Sequence, residues 1–157
     1  MSDPDPESPN ADRNAVMGER SRAIHQDQVA FNRLLGVRIT RWSPDGVRME
    51  VPFRDELSAH TDTFHGGVLA SLVDASAGSA VMAGHDFARG SRMSTVSLSI
   101  NFIAIAPGEG LVADAVCTRR GRNLQYVHVV VSSSEGGKTL AEAVVVCHTA
   151  DRIRTPQ

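Results

Sequence analysis

The sequence predicts an α+β domain: one long central helix wrapped by an antiparallel β-sheet of five to six strands. Three observations predict it. Residues 65–83 carry a helical stripe of Val68, Leu69, Leu72, Val73, Ser76 and Ala80, set among Ala, Gly and Ser. A helix apolar over so much of its surface is buried, not laid on an outer face. Four strand-like runs follow it, joined by turns short enough to be hairpins.

The elements can be taken in order. Residues 1–22 (MSDPDPESPNADRNAVMGERSR) hold few large apolar side chains, and such a stretch buries too little surface to offset its ordering entropy. They read as a disordered tail before a domain over 23–151, with 152–157 as a C-terminal tail. A short helix near 24–35 carries Val29, Phe31, Leu34 and Leu35 and stops at Gly36. Val37, Ile39 and Trp42 suggest a strand, and Ser43-Pro44-Asp45-Gly46 a turn into Val47, Met49 and Val51. Residues 53–64 look polar and irregular. After the long helix, Thr95 to Ile105 alternates. Val96, Leu98, Ile100 and Phe102 share one face, and Thr95, Ser97, Ser99 and Asn101 the other. Strands over 111–119, 124–133 and 139–149 complete the sheet, with turns at Pro107-Gly108-Glu109-Gly110, Gly121 and Glu135-Gly136-Gly137-Lys138.

Composition excludes several classes of function. The chain has 157 residues, enough for one domain with a real core, and 41% are apolar. A formal net charge of −2 gives no global attraction to nucleic acid. No apolar run reaches the ~20 residues of a membrane helix, and the N-terminus lacks an apolar signal core. Cys117 and Cys147 form no CxxC pair and read as free thiols of a reducing compartment, so the expected location is cytoplasmic. The six histidines lack metal-ligand spacing, no metal is expected, and no phosphate-binding loop or G-x-S-x-G elbow is present.

The chemistry concentrates in Phe64-His65-Gly66-Gly67 and the helix that it opens. Glycines there allow close approach to the backbone, and the first N–H groups of a helix are unpaired at the positive end of its dipole. That is an oxyanion site, or else a plain Gly-rich turn into a helix. Asp74 lies two turns in, too far to cap the helix. At 100° per residue it shares a flank with Gly67, Ala70, Ala77, Gly78 and Val81. A carboxylate with space beside it in an apolar setting is a candidate base. The alternative is an ionised Asp74 bonded to a buried backbone donor.

His65-Gly66-Gly67, six residues, then Asp74 and Ala75-Ser76-Ala77-Gly78, resembles the hotdog-fold acyl-CoA thioesterases of the phenylacetate-degradation type. Ser94 to Phe102 is similar to that family's strand after the helix. Arg119-Arg120-Gly121-Arg122 is similar to its basic turn, and Gly137-Lys138 with Ala141, Glu142 and Ala143 to its last hairpin. The resemblance spans roughly residues 34–150. It implies homodimers, or tetramers built as dimers of dimers, with active sites at the dimer interface. It implies that Asp74 acts as base or nucleophile, that the Gly66 or Gly67 amide binds the thioester oxygen, and that Thr95 assists. His65 would orient the turn. It implies coenzyme A as part of the substrate and no other cofactor. Arg119, Arg120 and Arg122 suit its phosphates, since arginine forks match phosphate oxygens, although a solvated basic turn is an equal reading. The family often has Asn or Gln six residues before the motif histidine. Here that position is Ala59, so either His60 takes over or one polar contact is absent. Ala59 also keeps open a non-catalytic hotdog module that binds acyl-CoA. A hotdog hydratase is a weaker reading, because that group's Asp and His placement on the helix is missing.

Overall fold

The computed structural model describes residues 9–150, and the chain enters it through a helix, α1, Pro9–Ala23. Part of the expected tail is therefore helical, while residues 1–8 and 151–157, with the C-terminal tail, lie outside the described residues. The reason is tertiary packing. Gly18 and Ser21 of α1 are buried, and the Asn14 side-chain oxygen accepts from the Phe87 amide at 3.0 Å. A helix this poor in apolar residues is held by such docking rather than by its own propensity.

A π-helical turn, Ile24–Gln28, continues α1, and α2, Ala30–Leu35, follows. Gly36 ends α2 with φ 73°, a left-handed conformation that favours glycine. Gln26 clips the first strand: its side-chain amide donates to Val37 O at 2.9 Å and its oxygen accepts from the Ile39 amide at 2.7 Å. Strands β1, Arg38–Ser43, and β2, Gly46–Val51, form the expected hairpin. Within 53–64 a small ribbon forms from β3, Ser58–His60, and β4, Thr63–Phe64. The long helix is α3, Gly66–Ala83, and then come β5, Arg92–Phe102, β6, Leu111–Arg120, β7, Leu124–Ser133, and β8, Thr139–Ala150.

The main sheet has six strands in the order β1-β2-β6-β7-β8-β5, all antiparallel. Its inward residues alternate as Val47, Met49 and Val51, then Ala113 and Ala115, then Val127, Val129 and Val131, all buried against Leu69, Leu72 and Val73 of α3. The architecture is the α+β hotdog arrangement. By length and composition α3 alone would pass as a membrane span, yet it is the buried core helix of this sheet.

The C-terminus of α3 has a specific stopper. The Arg120 guanidinium donates to the carbonyls of Ala80 and Val81, each at 2.9 Å, and reaches Pro44 O at 3.4 Å. Gly84 leaves room for it: a Cβ there would lie 2.5 Å from Arg120 Nη2. These bonds satisfy two of the orphan carbonyls of the last turn and put a cation at the negative end of the dipole. Arg120, expected at a coenzyme A phosphate, thereby has a structural role at the end of α3. Replacing it (Arg120→Ala) should cost about 1–3 kcal/mol in urea denaturation, and Arg120→Lys should recover only part, because a point charge cannot fork onto two carbonyls.

Candidate functional site

Asp74 lies where α3 passes the edge strand β5, and the Thr95 hydroxyl donates to its Oδ1 at 2.7 Å. The simple alternation of β5 places Thr95 on the outward, polar face. The structure moves it inward. Thr95 pairs with Cys147 and Ser97 with Val146, so the register shifts around Val96. This is a β-bulge, with two residues on one strand against one on the other. Directly paired residues share a face, and Cys147 and Val145 are both core residues with no exposed surface. Thr95 therefore shares the helix-facing side with Leu98, three residues on. Val96 is 60% exposed as a result. The bulge is what lets a strand hydroxyl meet the helix carboxylate.

Directly across from Thr95 on β8 lies Cys147, a core residue with no exposed surface. Burial pushes its thiol up to about 11, so it stays protonated and uncharged beside Asp74. Two other neighbours escaped the sequence reading. Phe102 stands 3.5 Å from where a Gly66 Cβ would be, and the Met93 methyl 2.7 Å from where a Gly78 Cβ would be. The glycines mark close approach, but only the fold says to what.

At the N-terminus of α3 the two glycines differ. His65 is the N-cap, and its Nδ1 accepts from the Gly67 amide at 2.9 Å. Gly67 N–H is thus occupied. Among the described residues the Gly66 N–H has no acceptor, and Gly66 is half-buried. Gly66, rather than Gly67, presents the open donor. His60 is exposed on the β3–β4 ribbon, with no hydrogen bond to Asp74 or to α3 among the described residues.

Two features keep one copy from forming an enclosed site. Asp74 is exposed, so the desolvated setting expected for it is absent from the single chain. Gly66 and Asp74 are also eight residues apart on one helix, about 12 Å along its axis. An oxyanion donor and a base must both lie within ~3 Å of one reacting centre. They cannot do so within one copy. One chain offers two separate groups along this span: a carboxylate held at β5 and an open amide at the helix start.

The basic turn sits at the opposite end of α3 from His65. Arg119 lies over the Tyr126 ring at 5.9 Å, and the Arg122 carbonyl accepts from the Arg89 guanidinium. Neither reaches Asp74 within one chain. Among the described residues no three His, Cys, Asp or Glu side chains converge as metal ligands would.

The family model described as thioesterase superfamily matches residues 61–140, just over half of the chain, including both glycines, Asp74 and Thr95. Human acyl-coenzyme A thioesterase 13 is 28% identical over 114 residues, 71% of this chain and 79% of that protein. A Halobacterium salinarum protein is 28% identical over 100 residues, which is 62% of this chain and 66% of that protein's length. A thioesterase family protein from Silicibacter pomeroyi has the same fold, with a TM-score of 0.77 over 88% of this chain and 99% of that one at 21% identity. The chain belongs to the thioesterase superfamily.

Proposed function

We propose that this chain hydrolyses acyl-CoA thioesters at a site shared by two copies. The observation that carries the reading is the Thr95–Asp74 hydrogen bond of 2.7 Å at the sheet edge. It holds one carboxylate oxygen and leaves Oδ2 to act. The similarity to human acyl-coenzyme A thioesterase 13 supports the substrate class.

In the proposed reaction Oδ2 takes a proton from water as the water oxygen bonds to the thioester carbon. The carbonyl oxygen becomes an oxyanion, held by a Gly66 N–H at the positive end of α3. Collapse breaks the C–S bond, coenzyme A leaves as thiolate, and the thiolate takes the proton from Asp74, restoring the carboxylate. A thiolate is a good leaving group, so no separate strong acid is required. Direct attack of Oδ2 on the carbonyl, followed by hydrolysis of the anhydride, uses the same groups. Arg119 and Arg122 are the proposed partners for the coenzyme A phosphates. We place the reaction in the cytoplasm, where thiols such as Cys117 and Cys147 stay reduced.

A second copy supplies what one chain lacks. Among the described residues the outer edge of β5 has no strand beside it, and Val96 and Phe102 on it are 60% and 54% exposed. Gly66 stands over Phe102, and Asp74 over Thr95. Antiparallel pairing of two β5 strands about the Leu98–Ser99 peptide, in the C-terminal half of the strand, sets Thr95 of each copy near Phe102 of the other. The Gly66 amide of one copy then lies beside Asp74 of the other, and the 12 Å gap disappears. The assembly is a homodimer or a tetramer of two such dimers.

Ala59 favours one second reading, an acyl-CoA-binding module without turnover, because a polar contact to the carbonyl is missing.

Thiol release from acyl-CoAs separates the readings. Asp74→Asn should lower kcat by ~10²–10⁴-fold with an unchanged melting temperature, and full activity in that variant would remove Asp74 from the chemistry. Thr95→Val should lower kcat/KM by roughly 10–100-fold, the worth of one hydrogen bond to a charged group. Gly66→Pro deletes the proposed oxyanion donor at a helix position that accepts proline, after a residue already extended at φ −67°, ψ 136°. It should be inactive alone. Mixed and re-associated with Asp74→Asn, it should restore about a quarter of wild-type activity, since half of the dimers are mixed and each has one intact site. No restoration in verified mixed dimers would reject the shared site.

A further inference from the structure

Beyond Asp74, the same flank of α3 continues through Gly78 to Met82, one turn at a time. Met82 is buried and lines a cleft of about 440 Å³ between α1, the π-helical turn, the end of α3 and the start of β5. The apolar lining comes from Met17, Ile24, Met82, Phe87 and Met93. Arg20 and Ser91 are exposed lining residues of this cleft. His25 lies on its wall, and burial holds its imidazole below its usual pKa, so the wall carries no charge there at neutral pH.

Met93 connects this cleft to the carboxylate. It precedes Thr95 by two residues on the same helix-facing side of β5, since the two pair with Thr149 and Cys147 of β8. Its methyl rests against Gly78, one helical turn beyond Asp74. A methionine is unbranched and adaptable, so it can yield to an entering chain where a branched residue would block it. The cleft also has the size of a small-molecule pocket, and three methionines suit an apolar ligand without fixed shape.

We infer that this cleft receives the far end of a medium-length straight acyl chain, and that α1 and the π-helical turn set its length limit through Met17 and Ile24. The inference rests on the thioesterase reading and adds the substrate's acyl class to it. The family match begins at residue 61, so both limiting residues lie outside the matched segment. The helix gives a ruler. Asp74 to Met82 is about 12 Å, and an extended chain advances about 1.1–1.2 Å per bond. A thioester carbon at Asp74 thus reaches the cleft floor after roughly ten bonds, at about the eleventh carbon, so chains of up to about ten carbons fit within it.

The test is a chain-length series from acetyl-CoA to palmitoyl-CoA with wild type, Ile24→Trp, Met17→Trp and Val16→Trp. Val16 is on the same helix but 69% exposed. The wild type should prefer octanoyl- and decanoyl-CoA. The decanoyl-to-butyryl ratio of kcat/KM should fall by roughly tenfold or more in Ile24→Trp and Met17→Trp, and stay put in Val16→Trp. Using two filling variants guards against one of them failing to fold. Turnover by wild type with an unchanged ratio in both overturns the acyl cleft and leaves the thioesterase reading standing. No wild-type turnover with any acyl-CoA removes the thioesterase reading instead. Equilibrium binding of decanoyl- and butyryl-CoA to the same proteins then decides the cleft: a decanoyl preference lost in the filled variants supports it, and equal affinities overturn it.

Discussion

Everything in this molecule follows from one constraint: α3 must be buried on nearly all sides, yet its only charged side chain must reach a substrate. A carboxylate cannot go under the sheet without an unpaired charge in the core. The sheet therefore covers Leu69, Leu72 and Val73 and ends at β5, just where Asp74 emerges. Small residues on the same flank, Ala70 and Gly78, keep the surface beside the carboxylate low enough for a ligand or a methionine to lie there.

An exposed edge and an exposed carboxylate are one problem with one solution. Strand edges are usually protected, and β1 at the other edge is clipped on its N-terminal side by Gln26. Among the described residues strand β5 has no such cover, and it carries exposed Val96 and Phe102. In water a single carboxylate and a single amide are weak catalysts, because solvent competes for both. If a second copy covers β5, the same event expels water, lowers the local dielectric and joins donor to base. Assembly and catalytic competence then become a single equilibrium. This couples the protein's concentration to its activity in a way that an enclosed monomeric site would not.

How much of this was legible in the sequence depends on the range of the interaction. The α3 stripe and the four later strands were legible, because periodicity is local and burial enforces it. The bulge at Val96 was not. Alternation assumes one residue per partner, and only the cross-strand register to Cys147 reveals the extra one. The motif residues were legible, but their division of labour was not: which glycine amide stays open is decided by the rotamer of His65. Arg120 shows the same limit. A basic turn suggests phosphate, while the carbonyls of Ala80 and Val81 that take its guanidinium are some 40 residues away in sequence. Helix α1 was missed because composition reports what a segment can bury alone, and α1 is stabilised by what it docks on.

The position of Ala59 can be weighed against this design. A polar side chain there would add a second donor to the carbonyl or a second acceptor for water, and removing one such group commonly lowers the rate by ~10²-fold. The proposed site retains the groups that are hardest to replace: a carboxylate held at 2.7 Å and a helix-start amide without a competing acceptor. Orientation of that carboxylate comes from Thr95 on β5, which does not depend on the β3–β4 ribbon that carries Ala59. The apolar side chain at 59 and the chemistry at 74 thus belong to separate elements. A substrate with a long apolar reach, drawing its binding energy from the flank beyond Gly78, can spend that energy on holding the carbonyl in line.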